Sequence, residues 1–177
     1  MAICLIHKTP TLNESVRESI ALALLQLMEQ KPFLDISVSE IVRTAGVSRS
    51  SFYRNFDSRE QVLCLYLRDL YRDYFSGDSA LSSEGDDYKQ FLLPRFRFIR
   101  LHKELFTTLH RQGMLGYVFE RMEPDLIRLL CGQRSTLTRY HLAMSAGACA
   151  SILRMWIDND LQESEEEMVD IFAAMKF

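Results

Sequence analysis

One glycine, Gly46, does most to limit what this chain can become. It lies in "SVSEIVRTAGVSRSSFYRNF", Ser37 to Phe56. The segment opens on Ser37-x-x-Glu40, the pattern of a capping box, in which a serine hydroxyl takes the third amide and the glutamate reaches back. A short helix begins there and is expected to end at Gly46, where a left-handed residue turns the chain. A second short helix is expected from Ser48 to Asn55. Two short helices around an Ala-Gly-Val corner form a helix-turn-helix, with Ile41, Val47, Phe52 and Phe56 holding the pair together.

The outward residues of the second helix are Ser, Arg, Ser, Ser, Tyr and Asn, where a plain solvated face would carry Glu/Lys pairs. In a helix-turn-helix the N-terminal residues of the second helix meet base edges in the major groove. Here those are Ser48, Arg49, Ser50 and Ser51: arginine suits guanine O6 and N7, and serines let the helix approach closely. Ser37, Tyr53, Asn55 and Arg59 supply donors for phosphates. Residues 43 to 59 carry four arginines against Asp57, a local charge of +3 in a chain whose total is −3. A basic patch on an acidic body is the footprint of a specific DNA reader.

The rest of the chain reads as helix. "NESVRESIALALLQLMEQ" sets Val16, Ile20, Ala23, Leu24, Leu27 and Met28 on one face, and Pro32 stops it. "DSREQ" restarts a long helix with Ser58 or Asp57 as its cap, carrying Val62, Leu63, Tyr66, Leu67, Leu70 and Tyr74 inward. Residues 76–87 read as a polar linker. Later helices are interrupted or kinked at Pro94, end near Gly113 and Gly132, and restart at a Ser164-x-x-Glu167 box. The expectation is an all-α chain of about nine helices, with an N-terminal three-helix helix-turn-helix head over residues 1–60 and a C-terminal helical ligand-binding and dimerisation domain over residues 61–177.

Cys4, Cys64, Cys131 and Cys149 form no CxxC pair, which suits a reducing compartment, and Cys131 and His141 lack partners at zinc spacing. No apolar run reaches the roughly 18–20 residues of a membrane helix, and "MAICLI" is too short for a leader. A cytoplasmic protein with no membrane association, no metal and no cofactor is expected. Nucleophile elbow, phosphate loop and metal cluster are all missing, so the chain does not read as an enzyme.

"ISVSEIVRTAGVSRSSFYRNFDSREQVL", Ile36 to Leu63, resembles the DNA-binding signature of the TetR family of bacterial transcriptional regulators. The likeness covers the first third of the chain, including the preceding helix and the "KPF" turn. Arg49, Ser50 and Ser51 fall at its base-reading positions, and Ser37, Tyr53, Asn55 and Arg59 at its phosphate positions. Ser51 stands where threonine is frequent, Asn55 where an aromatic or histidine is, and Arg59 where lysine is; these departures bear on operator sequence. The C-terminal "ASILRMWIDNDLQESEEEM" resembles a branch of short regulators common in Gram-positive bacteria.

The resemblance implies a homodimer acting on a double-stranded, near-palindromic operator, most often as a ligand-responsive repressor. It implies an effector cavity, of unknown ligand, in the region of Phe96, Phe106, His110, Met114, Tyr117 and Met122. Aromatic stripes at this spacing are ordinarily core. It also implies a dimer interface over the last two helices, with Ala146, Ile152, Met155, Trp156, Met168 and Phe172. The competing reading is a family-derived coregulator that binds a protein partner and no longer reads DNA.

Overall fold

The computed structural model describes residues 12–75, 88–121, 147 and 150–174. Among them are nine α-helical segments and no strand, so the described residues are all-helical, as expected. They are α1 (Leu12–Gln30), α2 (Val38–Ala45), α3 (Arg49–Asn55), α4 (Arg59–Phe75), α5 (Tyr88–Leu101), α6 (Lys103–Arg111), α7 (115–121), α8 (150–158) and α9 (Glu165–Ala174). None of the described helices is long and apolar enough to cross a membrane. The polar linker, Gly132, Met122, Cys131, His141, Ala146 and Cys149 lie outside the described residues. The chain divides into two compact units, Met1–Tyr66 and Leu67–Phe177, with the boundary inside α4.

In the first unit, α1, α2 and α3 pack on one another. α1 buries Ile20, Ala23, Leu24, Leu27 and Met28, the face its spacing predicts, while Val16 is half-buried. Phe33, Ile36, Ile41, Val42, Phe52, Phe56, Val62 and Leu63 complete the core. The Ser37 hydroxyl accepts from the Glu40 amide (3.3 Å) and the Glu40 carboxylate accepts from the Ser37 amide (3.0 Å), so the capping box is closed. α2 ends at Gly46 with φ +67°; Gly46 donates to the Arg43 carbonyl and Val47 to the Val42 carbonyl. That pair of bonds is a Schellman motif, which needs the left-handed residue glycine provides. Ser58 caps α4, its hydroxyl accepting from the Gln61 amide at 3.1 Å.

In the second unit, α5 packs on α6 and α9. α5 passes through Pro94 without ending, where the sequence suggested an interruption or kink. Its inner face carries Phe96, whose ring meets Trp156 edge-on at 5.5 Å and Phe172 at 5.2 Å. α6 ends at Gly113 (φ +68°) in a second Schellman motif. α8 ends in a third, with Asp160 left-handed at φ 55°. Arg100 fastens the corner that follows: it donates to the carbonyls of Leu161 (3.1 Å) and Glu163 (2.6 Å) and pairs with Glu165 (2.9 Å). The Ser164–Glu167 capping box that opens α9 is closed, and its hydrogen bonds hold the Glu167 carboxyl below its ordinary pKa.

α3, at seven residues, is far shorter than a helix that stands alone in water. It depends on Phe52, which is fully buried. Phe52→Ala is expected to destabilise the first unit by about 3–5 kcal/mol. Urea unfolding followed by circular dichroism measures this, and a loss below ~1 kcal/mol would contradict it.

Candidate nucleic-acid interface

α2 and α3 meet at the Gly46 corner and bury Ile41 and Phe52, so each turns its polar residues outward. Ser48, Arg49, Ser50, Tyr53 and Arg54 are exposed along α3, and Ser51 and Asn55 are half-buried. Tyr53 is 53% exposed, with its ring edge-on to Phe52 at 5.3 Å, so the buried phenylalanine sets the tilt of the exposed phenol.

Ser48 caps α3. Its hydroxyl accepts from the Ser51 amide at 3.0 Å and lies 2.8 Å from the Ser50 hydroxyl and 2.9 Å from that of Ser51. Three hydroxyls thus form one cluster at the tip of the helix. Each keeps a lone pair or a rotatable proton, so the cluster can donate or accept toward a base edge. Arg49 Nη1 reaches back across the corner to the Ser39 hydroxyl at 3.5 Å. Asn55 donates to the Ser51 carbonyl at 2.8 Å, which leaves one amide hydrogen for another acceptor. Ser39 escapes a linear reading because it lies ten residues before Arg49, and only the corner joins them.

Ser37 is exposed, but its hydroxyl is engaged: it donates to the Glu40 carboxylate at 2.8 Å. The other Glu40 oxygen receives Lys31 Nζ at 2.6 Å. Lys31 comes first among the causes that hold the Glu40 carboxyl at about 2, well below its ordinary 4.5; the Ser37 amide and hydroxyl add to it.

Arg59, expected to reach a phosphate, here has partners within the chain: its Nη1 donates to the carbonyls of Phe33 (3.1 Å), Leu34 (3.3 Å) and Ile36. Its guanidinium lies 5.0 Å from the centroid of the Phe33 ring. These carbonyls belong to the 3-10 turn Phe33–Asp35 and the residue after it, which accept little from the short turn itself. One guanidinium nitrogen with two hydrogens serves all three, so at least one N–H is shared between carbonyls.

Residues 20–64 match the family model of bacterial regulatory proteins, tetR family. This match is confined to the reading head, about a quarter of the chain. The HTH-type transcriptional regulator YuxN of Bacillus subtilis strain 168 is 29% identical over 100 residues, 54% of this chain and 34% of that protein. The HTH-type transcriptional regulator EthR of Mycolicibacterium smegmatis is 42% identical over 73 residues, 40% of this chain and 34% of that one. The matched stretch spans about a third of the length of these curated relatives. Both are named as transcriptional regulators. In fold, the chain is similar to the dihydroxyacetone kinase operon activator DhaS, with a TM-score of 0.56 at 20% identity, covering 90% of this chain and 93% of that one.

The second unit places its predicted residues unequally. Trp156, Met168 and Phe172 are buried within the unit. Their packing against Phe96 is the reason, together with the Trp156 indole N–H, which donates to the Glu163 carbonyl at 3.1 Å. Met155 is 70% exposed and Ile152 half-buried. Phe96 and Phe106 are buried, while Met114 and Tyr117 are half-buried. His110 Nε2 lies 2.7 Å from the Asp158 carboxylate. Among the described residues no three His, Cys, Asp or Glu side chains gather as a metal site would require.

The lowered Glu40 pKa makes a pH prediction. A carboxyl whose folded pKa is depressed stabilises above its unfolded value and loses that contribution as pH falls through the folded one. The melting temperature of the wild-type chain is therefore expected to exceed that of Glu40→Gln at pH 7. The difference should shrink from about pH 4.5 downward and vanish near pH 2. Equal differences at pH 7 and pH 2 would contradict the assignment.

Proposed function

We propose that this chain is a sequence-specific DNA-binding transcriptional regulator, acting as a homodimer on a near-palindromic operator. The observation that carries this reading is the exposed Ser48–Arg49–Ser50 tip of α3, held on a buried Phe52, within a TetR-family head. Residues 1–60 are the reading domain, and residues 61–177 bind the effector and dimerise. Arg49 and the serine cluster read bases, while Ser37, Tyr53 and Asn55 grip phosphates. Two α3 helices about 34–36 Å apart would enter successive major grooves.

The effector is a small molecule taken by the second unit near His110, Met114 and Tyr117. By analogy with most TetR-family members its effect is to release a repressor. Binding must favour one spacing of the two heads over the other, since only differential affinity moves such an equilibrium. Dimerisation uses apolar side chains of the last helices, exposed Met155 and half-buried Ile152 on α8 and exposed Ile171 on α9.

Selection from a random duplex library with the full chain tests this reading. Two inverted half-sites separated by one helical turn are the expected product. Failure to enrich any sequence at low salt would sink it. With the selected duplex, Arg49→Ala is expected to cost about 1–3 kcal/mol and to relax preference at one G·C pair. Tyr53→Phe should weaken all sequences alike.

A further inference from the structure

Four consecutive carbonyls lie just before Ser37, and each is held by a cation. Arg59 Nη1 takes those of Phe33, Leu34 and Ile36, and Lys31 Nζ takes that of Asp35 at 3.0 Å. The Phe33 and Pro32 carbonyls also accept the backbone bonds of the turn, from Ile36 (3.1 Å) and Asp35 (3.0 Å). The turn has no side-chain cap of its own. Its carbonyls therefore draw donors from outside it as well as from its own backbone.

The two donors come from different helices. Lys31 follows α1 and also reaches the Glu40 carboxylate at 2.6 Å, which closes the capping box on Ser37. Arg59 is the first residue of α4. α4 is also the helix that crosses the boundary between the two units, running on to Phe75. A displacement of α4 along its axis would carry the guanidinium with it. The turn would have to follow or lose its donors. Because the turn leads directly into Ser37, either response moves the N-terminus of α2.

We infer that Arg59 is a positioning residue through which α4 sets the place of Ser37 and the first turn of α2 against the DNA backbone. The inference rests on the proposed role of Ser37 as a phosphate contact. Arg59 makes no phosphate contact itself. The link is the point at which movement of α4 becomes a change of grip.

The test uses the full chain and the variants Arg59→Met, Ser37→Ala and the double variant, with the duplex recovered by selection. Arg59→Met keeps an apolar stem over Phe33 and removes every donor. If its thermal melt is not cooperative, Arg59→Gln takes its place. At a temperature where each variant is fully folded, Arg59→Met is expected to weaken DNA binding about tenfold. The slope of log affinity against log salt should be unchanged, because no phosphate contact from Arg59 is lost. Adding Arg59→Met to Ser37→Ala should cost much less than it costs alone, because one acts through the other. Amide hydrogen exchange at residues 37–41 should quicken in Arg59→Met while that of Phe52 in α3 holds.

A slope reduced by about one would make Arg59 a phosphate clamp and overturn the inference. So would full additivity with Ser37→Ala, or wild-type affinity in a variant that is merely less stable. A wild-type chain that binds no duplex overturns the proposed function instead. The exchange arm then decides whether Arg59 holds the first turn of α2, and unchanged exchange at residues 37–41 refutes that.

Discussion

Everything in the reading head depends on burying the aromatic side of a helix too short to exist alone. α3 spans seven residues, about two turns, and its backbone bonds cannot offset the cost of ordering them in water. Phe52 and Phe56, both buried and 5.8 Å apart by ring centroid, tie it to the rest of the unit. Once those two rings are fixed, the positions of Arg49, Ser50 and Tyr53 follow from helical geometry alone. The tip's own contacts are the Ser48 cap, the bonds among its hydroxyls and the Arg49 reach to Ser39.

The parts of this arrangement that were legible in the sequence are the local ones. Gly46, the two Ser-x-x-Glu boxes and the apolar face of α1 each act within a few residues, so their spacing states their role. The carbonyl-binding side of Arg59 was not legible. Its partners are 23 to 26 residues away, and an arginine at a helix start looks the same whether it faces water or a turn. Lys31 escaped for a similar reason: it follows the helix that Pro32 closes, yet its charge serves the start of the next one.

In the second unit the helices were readable and their partners were not. Apolar residues at α8 and α9 could equally face a second copy or the same chain. The choice falls to the interior for Trp156, Met168 and Phe172 because Phe96 of α5 lies opposite them. Nothing in a period of 3.6 residues distinguishes those outcomes, since periodicity reports which side is apolar and not what covers it. Asp160 was equally silent: a left-handed non-glycine residue is uncommon, and no spacing rule announces it.

The corner between α8 and α9 adds a set of ion pairs to its backbone bonds and to the buried Trp156 and Leu161. Arg97 pairs with Glu166, Arg100 with Glu165, Lys103 with Asp160 and His110 with Asp158, so four basic side chains on two successive helices meet four acids around one bend. The exposed apolar residues of the same region, Met155 and Ile171, take no part in those ties. The charged ties of the bend and any adhesion through its oily residues therefore answer to different forces. Added salt loosens the first by screening and leaves the second intact. In the proposed dimer, a contact through Met155 and Ile171 would therefore respond to salt differently from the charged ties at the bend.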